Sequence, residues 1–135
     1  ARFDVFRLME AALNGQPAQV ARVLAGLQAE GEAVPALMGM VVKELGALAA
    51  LAQAADFAGR CKALGIWESR QATYKRALGR HPPERWQWLL AEAGRVDRIA
   101  KGRVQPGQDS HDAWLQLERL LLAVAEPKAR RLLAS

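Results

Sequence analysis

Apolar residues recur along this chain at intervals of three and four, broken at a few points by glycine and proline, and almost nowhere alternate with polar ones over a strand's length. Val5, Leu8, Met9 and Ala12 make one face of a first helix from about Asp4 to Leu13, with Asn14-Gly15 as its stop. Pro17 suits the first turn of a second, whose stripe is Val20, Val23, Leu24 and Leu27 and which Gly31 ends. So short a connection predicts a helical hairpin. Pro35 opens a third helix to about Ala54, apolar on most of its circumference and therefore expected to be the central element. Gly39 and Gly46 on it are expected to serve close helix packing rather than a membrane dimer.

A short helical turn from Asp56 to Gly65 then leads into GIWESRQATYKRALGR, Gly65 to Arg80, with a helix from Trp67 or Glu68 to Leu78. His81-Pro82-Pro83 separates it from a helix of about Pro83 to Lys101, with Trp86, Leu89, Leu90, Ala93, Val96, Ile99 and Ala100 inward and Gly102 as cap. Residues 103–112 read as a long polar loop. In it, an N-cap role before Trp114 accounts for Asp109 or Asp112, which flank Ser110. A last helix follows through Trp114, Leu117, Leu120, Leu121 and Val124, limited by Pro127. The expected fold is all-α, a single bundle of five to seven helices within residues 1–135.

Composition narrows the setting. A 135-residue chain can bury about two-thirds of the surface its unfolded form exposes, so it needs neither disulfide nor metal. Cys61 has no second cysteine to pair with, and no Cys/His cluster suggests zinc, which fits a reducing cytoplasm. Charges interrupt each hydrophobic run before the roughly 20 residues a membrane span needs. Asp4, Arg7 and Glu10 break any apolar signal-peptide region, and the initial Ala points to a fragment of a longer protein.

The net charge of +5 is unevenly placed. Residues 60–103 hold eleven Lys/Arg against four Asp/Glu, an excess that fits phosphates or an acidic partner, or an ordinary basic surface. Catalytic signatures are missing: there is no phosphate loop, HExxH, CxxC or GxSxG, and no acid, base or nucleophile pair can be named. No cofactor or metal is expected. His81 before two prolines and His111 in a polar loop read as surface residues, whereas Asp97 and Lys101 have the spacing of a helical ion pair.

Four tryptophans remain. Trp86 and Trp114 read as core, and Trp88, about 200° from Trp86 around the helix, as less buried. At the helix start after Gly65, one of Ile66 and Trp67 can staple the turn while the other faces outward.

The order of FDVFRLMEAALNGQPAQVARVLAGLQAEGEAVPALMGMVVKEL, LGIWESRQATYKRAL, DRIAKG and WLQLERLLLAV resembles the C-terminal region of the delta-subunit family of the bacterial DNA polymerase III clamp loader. The resemblance spans nearly the whole chain, most tellingly in the WxxR helix start at Trp67 to Arg70 and the helix end Asp97 to Gly102. It implies a non-catalytic collar domain that assembles with gamma/tau-type and delta-prime-type subunits to load the sliding clamp onto primed DNA. It also implies that contact with the clamp belongs to a separate N-terminal module. Single-stranded template passing the collar would meet Trp67 by base stacking and Arg70, Lys75 and Arg76 through its phosphates. Because three consecutive leucines cannot all face one core, Leu120, Leu121, Leu122, Val124, Leu132 and Leu133 are the candidate subunit interface. The alternative is a stand-alone helical nucleic-acid-binding domain that uses the basic segment 60–103.

Overall fold

The computed structural model of the chain describes residues 2–102 and 110–130. These form seven α-helices: α1 (Arg2–Leu13), α2 (Pro17–Ala29), α3 (Val34–Ala52), α4 (Phe57–Ala63), α5 (Glu68–Leu78), α6 (Pro83–Ala100) and α7 (Ser110–Ala125), with a closing 3-10 turn, Pro127–Arg130. There is no strand among the described residues, as the helical periodicity predicts.

Punctuation in the sequence sets the helix ends. Gly15 takes φ +71 at the end of α1, its N–H bonding to Ala12 O while Gln16 N–H reaches back to Ala11 O. That pairing is a Schellman motif, which needs the left-handed conformation glycine adopts without a Cβ clash. The chain reverses there and α2 packs on α1 as the predicted hairpin. Prolines open α2, α3 and α6 in their first turns, where the missing N–H costs no intrahelical bond.

α3 is the hub. It meets α6 most extensively and also touches α1, α4, α5 and α7, while α7 crosses α6, α2 and α1 to close the bundle. It is also long and apolar enough to span a membrane by composition alone, but half of it is buried by its neighbours, the pattern of a central bundle helix. One hydrophobic cluster joins Leu8, Met9 and Leu13 of α1, Leu37, Leu45 and Leu48 of α3, Trp86 and Leu89 of α6, and Leu117 of α7. Polar side chains add links between helices: Gln87 Nε2 donates to Ala49 O at 3.0 Å, and Arg95 Nη2 to Gln116 Oε1 at 3.0 Å. Lys101 Nζ donates to Asp97 Oδ2 at 3.0 Å, the i, i+4 pair foreseen from spacing, and Gly102 follows in the left-handed region.

Four expectations are corrected. Leu120, Leu121 and Val124 are fully buried and Leu122 half-buried, so these residues are core rather than a spare apolar face; Leu132 and Leu133 lie outside the described residues. Helix α7 packs against α6, α2 and α1 and against the 3-10 turn that follows it, which covers enough of its circumference for adjacent leucines to join the one core. His81 is buried at 5 % exposure, against the reading of it as a surface residue. A Cβ placed on Gly39 or Gly46 would meet nothing within 4 Å, so these glycines do not mediate close packing. Trp114 is half-buried rather than core; of the two N-cap candidates before it, Asp112 lies within the first turn of α7, which begins at Ser110, and Asp109 lies outside the described residues.

Candidate functional site

The α4–α5 corner carries the residues singled out in the sequence. α4 ends at Ala63 in a second Schellman motif, with Gly65 at φ +72, Gly65 N–H bonded to Lys62 O and Ile66 N–H to Cys61 O. That bond pattern turns Ile66 back onto the core, where it is partly buried. Trp67 comes next, at the N-cap of α5 with extended backbone (φ −65, ψ 146), and its side chain makes no capping hydrogen bond. It stands 77 % exposed, the most exposed large apolar side chain described, with Leu64 also exposed. Of the two apolar residues at this start, Ile66 packs inward and Trp67 faces out.

Exposed cations lie on both helices that meet at the corner. Arg60 and Lys62 occupy the last turn of α4, where they complement the negative end of the helix dipole. Among the described residues neither has an ion-pair partner. Lys75 lies with its Nζ 5.7 Å from the centre of the half-buried Phe57 ring, a contact that holds the stem while leaving the side chain accessible. Burial pushes the Cys61 thiol up from its ordinary range, which keeps it unreactive within this corner.

The predicted contact Arg76 points elsewhere, as does its neighbour Arg80. Arg76 Nη2 donates to the Asn14 side-chain Oδ1 at 2.9 Å and Arg80 Nη1 to Leu13 O at 2.7 Å, so both guanidiniums sit at the C-terminus of α1, where Arg80 satisfies a carbonyl of its last turn. Burial, with Arg76 beside it, holds Arg80 below its ordinary pKa. Arg76 remains exposed.

Arg70 is committed inward. Its Nε and Nη2 donate to Glu10 Oε1 at 3.3 and 3.2 Å, and Nη1 lies 3.6 Å from Glu44 Oε1. The guanidinium also lies over two rings, 4.6 Å from the centre of Phe6 and 5.1 Å from that of Tyr74. Tyr74 in turn donates its hydroxyl to Glu44 Oε2. Burial, then the hydrogen bond to Glu44, raises the Tyr74 pKa far above its ordinary value. This cluster ties α5 to α1 and α3, and the sequence reading missed it. The available signal was Glu44: in the run Leu37, Val41, Glu44, Leu48, Leu51 it occupies a buried-face position of α3, where a carboxylate demands partners.

The structure therefore keeps Trp67 on the accessible corner with Leu64, Arg60 and Lys62, leaves Lys75 exposed in the last turn of α5, turns Arg76 to the end of α1 and withdraws Arg70. Elsewhere among the described residues, a depression of about 410 Å³ between α1 and α3 is bordered by Val5, Leu37, Gly39, Met40 and Lys43. Among the described residues no three His, Cys, Asp or Glu side chains converge on a metal-sized space. The chain matches no protein-family model and no curated protein.

Proposed function

We propose that this domain is the helical collar module of a clamp-loader delta subunit, a scaffold without catalytic chemistry of its own that assembles with gamma/tau-type and delta-prime-type subunits in DNA replication. Support comes from the order of sequence features along the chain. The observation that carries it is Trp67, which opens α5 within the WxxR motif and stands 77 % exposed on a helix pair that carries Arg60 and Lys62 in the last turn of α4 and Lys75 in the last turn of α5. An exposed aromatic with exposed cations on the same pair of helices is what stacking on a passing single strand requires. With Leu120, Leu121 and Val124 buried, the apolar surface left for neighbouring subunits includes Trp114 and the exposed Leu115, which border a groove with Ala21, Leu24 and Ala25 of α2.

Mixing the chain with purified gamma/tau-type and delta-prime-type subunits and weighing the products by light scattering tests the assembly. Co-migration that Leu115→Glu abolishes is the expected result; a chain that stays monomeric beside them at tens of micromolar overturns the proposal. In this reading the isolated domain binds single-stranded DNA weakly. The unpaired Arg60 and Lys62 favour one other reading, a stand-alone nucleic-acid-binding domain that uses segment 60–103. Submicromolar, steeply salt-dependent binding by the chain alone would select it.

A further inference from the structure

We propose that Arg70 never meets the nucleic acid and is instead a positioning residue, clamping the first turn of α5 onto α1 and α3 so that Trp67 is held at a fixed angle. The inference rests on Trp67 being the stacking residue of the function proposed above. Its ground is the geometry of the guanidinium. Two of its nitrogens serve Glu10, a third faces Glu44, and its faces lie against Phe6 and Tyr74. A phosphate approaching Arg70 would have to displace one of two carboxylates, both of which are partly or largely shielded from water.

Trp67 depends on such a clamp because its side chain is largely exposed and makes no capping hydrogen bond. It is the N-cap of α5, and its carbonyl accepts the Arg70 N–H at 2.9 Å. Residue 67 thus joins the helix through the backbone of the residue whose side chain is bolted to α1 and α3. On the other side the turn at Gly65, φ +72, seats Ile66 on the core, which fixes where the chain enters α5 but not the indole that follows. Releasing Arg70 frees the first turn to fray, and a fraying turn carries the indole with it.

The two roles for Arg70 predict effects of opposite sign when Glu10 is removed. Glu10→Ala takes away a negative charge and the principal partner of Arg70 on a helix that tolerates alanine. If Arg70 were a phosphate ligand, freeing it would tighten binding and steepen the salt dependence. As a positioning residue it weakens binding.

The test is a titration of fluorescein-labelled oligo-dT with the chain, followed by anisotropy from about 20 to 200 mM salt. Wild type is compared with Trp67→Ala, Glu10→Ala, Arg70→Lys and the double variant Glu10→Ala/Trp67→Ala. Glu10→Ala is expected to weaken binding about three- to tenfold, a part of the stacking contribution, with an unchanged slope of log K against log salt. In the Trp67→Ala background it should change nothing further. Arg70→Lys should weaken binding as well, because an ammonium keeps a phosphate contact but not the planar, stacked fork. Tighter binding by Glu10→Ala, or wild-type binding by Arg70→Lys, overturns the proposal.

Hydrogen exchange read by mass spectrometry on the peptide covering 66–74 separates this from failure of the DNA reading. Faster exchange there in Glu10→Ala, with α6 unchanged, supports the clamp even if the wild type binds no oligo-dT. Unchanged exchange refutes the clamp whatever the titration gives.

Discussion

His81 Nε2 lies 3.0 Å from the carbonyl oxygen of Val124, joining the connection between α5 and α6 to the end of α7. The carbonyl can only accept, so Nε2 carries the proton. The ring stands edge-on to Trp86, with centroids 4.9 Å apart and planes at 87°. Replacing His81 by Phe keeps an aromatic body of similar reach and deprives the buried carbonyl of its donor. A loss of about 1–3 kcal/mol is expected, read as a fall in melting temperature of roughly 3–5 °C per kcal/mol for a domain of this size. A stability equal to wild type would mean that the hydrogen bond to Val124 does not stabilise this corner.

Tyr74 and Glu44 form a second buried pair, and Tyr74→Phe isolates its hydrogen bond. Glu44 is 8 % exposed, so a carboxylate that loses this donor is expected to cost about 1–3 kcal/mol in thermal or urea unfolding. The pair also sets an alkaline limit. Burial and Glu44 raise the phenol's pKa in the folded state above the unfolded value near 10. The folded chain therefore holds that proton more tightly, and the stabilisation is complete below pH 10 and is lost as pH rises above it. Circular-dichroism melts between pH 8 and 12 should fall more steeply for wild type than for Tyr74→Phe above pH 10.

Gly39 and Gly46 sit inside α3 with open space where a Cβ would go. Alanine at either should stabilise the domain by about 0.5–1 kcal/mol through reduced backbone freedom in the unfolded chain. Melting temperatures of the two single variants check this directly. If either variant also loses assembly with loader subunits while gaining stability, that face of α3 belongs to a subunit contact.

Trp67→Ala and Leu120→Ala should separate surface from core. Trp67 is largely exposed, so its truncation is expected to leave stability within about 0.5 kcal/mol of wild type while weakening the single-strand binding proposed for it. Leu120 is fully buried, and its truncation should cost about 2–5 kcal/mol in urea denaturation. A mild Leu120→Ala effect combined with lost assembly would restore that residue to an interface.

Much of the architecture was already written in residue order. Helix limits at Pro17, Gly31, Pro83 and Gly102 were legible because proline and glycine act locally, through a missing N–H and a missing Cβ, and need no distant partner. The α1–α2 hairpin followed from the brevity of its turn, and the expectation that one of Ile66 and Trp67 faces outward from two apolar residues competing at one helix start, whereas which of them does so was settled by packing. Pairings across the chain were hidden. Arg70 meets a carboxylate 60 positions away and His81 a carbonyl 43 away, and no local pattern carries either distance. Charge alone made Arg70 look like a ligand for phosphate and made His81 beside two prolines look like surface. By itself the sequence determined that this chain forms helices, where most of them stop and which stripe of each is apolar. Only the tertiary structure decided which cations remain free, because a charged side chain is claimed by whichever buried carboxylate or helix end the packing brings within about 3–4 Å.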